Sequence, residues 1–136
     1  MSYLLDTNII SETIKPIPNP NVLQWLDGIP SENLYISVLT IGEIKKGVEL
    51  LENSNRKNIL IKWLEHDLAK WFENNILEIN LEVAERWGYL SAISKKTTHT
   101  IDTFIAATAL TYNLKLVTRN EKDFEIFGLE IINPFK

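Results

Sequence analysis

Aspartate is scarce in this chain, five residues against thirteen glutamates. Three of the five, Asp6, Asp102 and Asp123, stand where a strand would end or a helix begin, and Glu43 joins them near the start of a helical segment. Each has a local explanation. Asp6 could cap a helix that follows a strand. Thr40-Ile41-Gly42-Glu43 has the form of a capping box. Asp102 could cap an Ala-rich helix, and Asn120-Glu121-Lys122-Asp123 fits the same first-turn pattern. Their neighbours argue for more. Glu43 lies among Ile41, Gly42 and Ile44, and Asp102 opens Asp102-Thr103-Phe104-Ile105-Ala106-Ala107, directly after Ile101. Neither setting is that of a solvated face. Carboxylates buried together repel, so their pKa values rise unless a cation neutralises them. The chain has no cysteine and only two histidines, His66 and His99. Oxygen ligands alone suit Mg²⁺ or Mn²⁺. A carboxylate cluster holding one or two such ions is the apparatus of metal-assisted phosphodiester hydrolysis, in which the metal activates water and neutralises charge on the phosphate.

Elements must carry those side chains to one place. The 136 residues are 45% apolar, enough for one ordinary domain over 1–136. The absence of cysteine excludes a disulfide framework and suits a reducing cytoplasm. No apolar run of ~20 residues is available for a membrane span, and the first residues lack the basic and long apolar stretches of a signal peptide. Short apolar runs at 3–5, 34–36, 76–79, 114–117 and 129–132 read as strands. Helical periodicity covers about 7–14, 21–27, 38–51, 56–74, 82–94, 102–112 and 121–127. In the longest of these, Ile59, Leu60, Trp63, Leu64, Leu68, Trp71 and Phe72 form the expected apolar stripe. The alternation predicts an α/β fold with a largely parallel sheet, in which ligands bind beyond the carboxyl ends of the strands. Polar residues recur there: Asp6-Thr7-Asn8, then Ser37 to Glu43, then Thr118 to Asp123.

These blocks resemble a known family. Leu4-Leu5-Asp6-Thr7-Asn8 is similar to the opening motif of PIN-domain proteins. Thr40-Ile41-Gly42-Glu43-Ile44, the run from Asp102 to Ala109, and Leu116-Val117-Thr118-Arg119-Asn120-Glu121-Lys122-Asp123-Phe124 resemble the blocks that follow. Gly128 to Phe135 resembles the closing strand and tail. The likeness spans nearly the whole chain and is nearest the VapC/FitB type of toxin–antitoxin toxins. It implies a three-layer α/β/α domain and a Mg²⁺- or Mn²⁺-dependent endoribonuclease. It implies metal ligation and catalysis by Asp6, Glu43, Asp102 and Asp123, with Asn8, Thr118 and Asn120 in support. It also implies a homodimer or higher assembly and a cognate antitoxin with a DNA-binding domain. One departure falls at Thr98-His99-Thr100-Ile101, where relatives often carry a small residue or proline; it bears on substrate choice more than on chemistry.

Lys45, Lys46, Lys95, Lys96, Arg119 and Lys122 stand close to the acidic blocks and could contact RNA phosphates. A solvated helix face explains the lysine pairs equally well. The four tryptophans read as packing residues rather than as base-stacking platforms. Two other Mg²⁺ enzyme classes fit poorly. A haloacid-dehalogenase phosphatase needs an acid at the position of Asn8, and a receiver domain needs an acceptor Asp that Leu34 to Ser37 does not supply. A weakly catalytic PIN-like module that chiefly engages a DNA-binding partner is the alternative from another class.

The net charge is −4, from 18 acidic and 14 basic residues. Setting aside Asp6, Glu43, Asp102 and Asp123 leaves as many acids as bases, so the excess is numerically the proposed site. A cleft of that sign should hold RNA weakly until a divalent cation neutralises it. Filter binding of single-stranded RNA should therefore strengthen on adding Ca²⁺ or Mg²⁺ to chelator-treated protein, and equal retention in both conditions would refute this.

Overall fold

The computed structural model describes residues 1–94 and 99–136. Lys95, Lys96 and Thr98, named above, lie outside the described residues. Short, mostly apolar runs of two to four residues build the sheet: β1 (Tyr3–Leu5), β2 (Leu34–Ser37), β3 (Ile76–Leu77), β4 (Lys115–Val117) and β5 (Ile131–Ile132). All pair in parallel, in the order β3-β2-β1-β4-β5. Successive side chains point to opposite faces. Leu5, Ile36 and Val117 join one core, and Leu4 and Leu116 the other. The strands are apolar on both faces because helices cover both, as parallel sheets require.

The helices divide accordingly. Between β1 and β3 the chain forms α1 (Thr7–Thr13), α2 (Pro20–Asp27), α3 (Val38–Glu49), α4 (Asn55–Lys62) and α5 (Ala69–Trp71). Ile9, Val22, Ile44 and Leu60 from this set pack on the first face. After β3 come α6 (Leu81–Ser94), α7 (Thr100–Thr111) and α8 (Glu121–Phe124), whose Val83, Leu90, Ile105 and Phe124 cover the second. The expected three-layer α/β/α architecture with a parallel sheet is what forms.

Several boundaries differ from the reading of the sequence. The segment 56–74 is not one regular helix: α4 passes into a π-helical stretch, Trp63–Leu68, before α5. Leu60, Leu64, Leu68 and Phe72 are the buried stripe, and Ile59 is 60% exposed. Their spacing of four explains the π turn. In a regular helix each step of four overshoots one turn by about 40°. Wider i→i+5 turns bring the stripe back onto the core. β3 and β5 are shorter than the apolar runs that suggested them. α2 begins one residue early, because Pro20 fits the first helical position and Asn19 caps it.

The connections fix where a ligand can sit. The chain moves outward from β1 to β3 along one side, then crosses back to β4 beside β1 and moves out the other way. The strand order reverses between β1 and β4, the position at which such sheets bind ligands. Leu5 pairs with Val117, so the next residues, Asp6 and Thr118, emerge side by side at the carboxyl end. The Asp6 N–H donates to the Val117 carbonyl (2.9 Å), and the Thr118 N–H to Ile132 (2.9 Å). Asn75 closes the other edge, donating from its side chain to the carbonyls of Glu32 (3.0 Å) and Leu34 (2.9 Å). Gly128, at φ 71°, takes the left-handed turn that leads towards β5, where a side chain would be strained.

Phe72 is 1% exposed and ends the four-residue stripe. Phe72→Ala should cost about 3–5 kcal/mol in urea unfolding. Ile17→Ser, at a position 89% exposed, should change stability by less than about 0.5 kcal/mol.

Candidate active site

Asp6 leaves β1 in extended conformation and caps α1, its Oδ1 accepting the Thr7 N–H (2.8 Å). The capping role is real and uses one carboxylate oxygen. The other, Oδ2, accepts the Thr118 hydroxyl (2.8 Å) and the Asn8 side-chain amide (3.1 Å). Asn8 Nδ2 also lies 3.3 Å from Thr118 Oγ1. The Asn120 N–H donates to Thr118 Oγ1 (3.1 Å), and the Arg119 N–H to Asn8 Oδ1 (3.1 Å). The first and fourth strand ends are thus tied into one polar network around a single buried carboxylate. Asn8, Thr118 and Asn120 all take part in it, Asn120 through its backbone.

Glu43 comes from α3. That helix starts at Val38, with Ser37 as its cap, so Glu43 is too far along to close the expected capping box. It instead accepts the Thr7 hydroxyl, which lies 3.3 Å from Thr40 Oγ1. Asp102 is likewise not a cap. α7 begins at Thr100, and Asp102 stands in its first turn, half-buried. Asp123 is exposed in the first turn of α8, and the preceding Asn120 makes no side-chain cap bond. The capping explanation therefore holds for Asp6 and fails for Glu43 and Asp102.

Electrostatics show that the four acids share a neighbourhood. Burial raises the Asp6 carboxyl above its usual value, and the Glu43 charge adds to this; the bonds from Thr118, Thr7 and Asn8 act the other way. Asp102 is pushed up to about 6, first by burial, then by the charges of Asp6 and Asp123, with Glu43 adding and His99 opposing. Four carboxylates from four separate segments thus lie near enough for the other three to act on Asp102. Among the described residues, no three such groups have closed around a common point at ligand distance. Glu43 is turned to Thr7, and Asp6 to its own donors. The donor set nonetheless suits a hard divalent cation: it is oxygen only and carries several like charges that a cation would offset.

The rim cations divide. Arg119 is part of the network through its backbone. Lys46 and Lys122 are exposed, and Lys45 is also exposed but pairs with Glu49 at 3.3 Å. The tryptophans pack, as expected. Trp25 meets Tyr3 edge-on at 5.1 Å, Trp87 stacks on Phe104 at 4.8 Å, and Trp63 and Trp71 lean on the first core. His99 is exposed at the start of α7 and makes no cap bond with its side chain. Thr7 and Thr40, which connect Glu43 to the cap of α1, are site residues that sequence reasoning passed over. Both fall inside the quoted blocks, and a hydroxyl beside each acid was the available signal.

The Asp102 shift has a stability consequence. The folded carboxyl takes up its proton at about 6, whereas the unfolded one does so near 3.9. Between those values the folded state binds the extra proton. Its stability therefore falls as pH rises through that window and stays lowered above it. In the presence of chelator, Asp102→Asn should stabilise the protein at pH 7 by about 1 kcal/mol, after allowance for solvent screening of a half-exposed group. The gain should vanish near pH 4. Chemical denaturation at the two pH values checks both the sign and the disappearance.

Comparison with known proteins places this geometry. The PIN domain family model matches residues 3–128. The chain is 36% identical to toxin FitB of Neisseria gonorrhoeae over 135 residues, covering 97% of each. It is 34% identical to VapC ribonuclease Y4jK of Sinorhizobium fredii over 136 residues, covering 98% of the chain and 97% of the relative. The crystal structure of FitAcB from Neisseria gonorrhoeae superposes with a TM-score of 0.91 at 35% identity, covering 98% of both chains. FitAB bound to an IR36 DNA fragment superposes with a TM-score of 0.91 at 34% identity, covering 98% of this chain and 96% of that one. The family model over residues 3–128 and the 36% identity to toxin FitB across the chain show that it belongs to the PIN-domain family, in the FitB/VapC group.

Proposed function

We propose that this chain is a Mg²⁺- or Mn²⁺-dependent endoribonuclease, the toxin of a toxin–antitoxin pair. The observation that carries the reading is that Thr7 joins Asp6 and Glu43 at the end of β1, near enough to Asp102 for their charges and that of Asp123 to act on it. The relative named VapC ribonuclease Y4jK supports the reaction class. Asp6, Glu43 and Asp102 would hold the cation, and Asp123 would complete the acidic site. A cation there supplies Lewis-acid neutralisation of phosphate charge and lowers the pKa of water. The protein's own groups do the positioning. Thr118 and Asn8 fix Oδ2 of Asp6, and the Thr7 N–H fixes Oδ1. The Thr7 hydroxyl turns Glu43 towards the same end of β1. With these donors in place, Asp6 and Glu43 are held at one end of β1, where they would serve as ligands.

The partner reading follows from the relatives. FitAB is known bound to a DNA fragment, and we infer a cognate antitoxin with a DNA-binding domain here, together with a toxin homodimer in the assembly. A groove lined by Ile14, Ile59, Leu60 and Trp63, with Arg56, Lys62, His66 and Asp67 alongside, offers an apolar surface for such a partner. No helix among the described residues is long and apolar enough to cross a membrane, and the cytoplasm is the compartment proposed for the pair.

Purified chain incubated with single-stranded RNA should cleave it in Mg²⁺ or Mn²⁺ and stop on chelation. Asp6→Asn should lower the rate by on the order of 100-fold. It should keep the fold, because Asn can still cap α1. Equal cleavage by wild type and Asp6→Asn would remove Asp6 from the metal site.

A further inference from the structure

We propose that Arg119, seated over the Phe135 ring, grips a substrate phosphate beside the acidic cluster, and that Phe135 is its positioning residue. This rests on the nuclease reading above and names the side chain that meets the polyanion. Four carboxylates repel a phosphodiester, so an incoming strand is helped most by a cation whose place is fixed. The Arg119 backbone is held on both sides. Its N–H donates to Asn8 Oδ1 (3.1 Å), and its carbonyl accepts from Asn133 Nδ2 (3.4 Å). Asn8 is itself bonded to Asp6, so a single amide joins the buried acid to the residue that carries the guanidinium.

The side chain is placed as well. Its guanidinium carbon lies 5.0 Å from the Phe135 centroid. A ring attracts a guanidinium through its face and uses none of its N–H donors. The charge of Arg119 also acts on Glu12 of α1. Glu12 is already engaged by Lys15 (2.9 Å) and by the Asn19 N–H (2.8 Å). Among the described residues, no carboxylate forms an ion pair with Arg119. Its fork of donors matches two phosphate oxygens. Lys45 and Lys136, by contrast, are spent on Glu49 and Glu121.

The tail that carries Phe135 is fastened in turn. Asn133 donates to Glu121 Oε2 (3.0 Å) and accepts the Phe135 N–H (3.0 Å), and Lys136 pairs with the same Glu121 oxygen (2.7 Å). Phe135 also packs against the first core. The tail thus works as a brace under Arg119.

The test uses an end-labelled, short single-stranded RNA of mixed sequence, cleaved in Mn²⁺ at several salt concentrations. Arg119→Ala should raise KM about tenfold, with kcat within about threefold of wild type. It should also reduce the slope of log KM against log salt by about 0.7, one phosphate contact on a single strand. Phe135→Leu should shift KM in the same direction by less, and Phe135→Tyr, which keeps a ring under the cation, should restore it. Mn²⁺ binding should be the same in all four proteins. If wild type cleaves but Arg119→Ala keeps its KM and salt slope, the phosphate role is refuted. If Phe135→Leu alone matches wild type while Arg119→Ala does not, the positioning role is refuted. If wild type does not cleave the RNA in Mn²⁺, it is the nuclease reading that fails.

Discussion

A carboxylate almost withdrawn from water at the end of the central strand is the constraint on which the rest of the molecule depends. Asp6 is 5% exposed, and an unpaired charge there would be very costly. It is tolerated because the fold surrounds it with donors from two directions: the start of α1 behind it and the end of β4 beside it. The Thr118 donor exists only if β4 crosses back to lie against β1. The reversal of strand order and the burial of Asp6 are therefore one structural fact seen at two scales. A hydrogen bond to a charged group contributes about 1.5–3 kcal/mol, so losing Thr118 or Asn8 should be felt in the fold and at the site together.

The other acids add strain that the scaffold absorbs. Burial raises the Asp102 carboxyl first, and the neighbouring charges of Asp6, Asp123 and Glu43 add to that cost. The two apolar cores on either side of the sheet supply the stability that offsets this concentrated charge. Stability and function pull apart here, as is common where like charges are gathered for chemistry.

Much of this was legible in the residues. Alternating apolar runs gave away the α/β class, and polar blocks after the strands gave away the end of the sheet that matters. The strand order was not legible, because pairing β1 with β4 joins segments more than a hundred residues apart and leaves no local trace. Glu43 and Asp102 looked like caps because capping signals are short; only the true helix starts, at Val38 and Thr100, put Glu43 beyond the first turn and Asp102 inside it. The π turn at Trp63–Leu68 was encoded in the spacing of Leu60, Leu64, Leu68 and Phe72, but a pattern of four resembles an ordinary helix until its drift is followed to the end. Phe135 carried no chemical signal of its own, and its part emerges only where the tail lies against Arg119.

The account stands on the claim that these acids form one cation site. Titration of the chelator-treated protein with Mn²⁺, followed by electron paramagnetic resonance of the free ion, tests it most directly. The account predicts saturable binding by the wild type that is lost in Asp6→Asn and in Asp102→Asn alike, although the two residues lie on different elements. Binding that survives either substitution unchanged, or no saturable binding by the wild type, would contradict it.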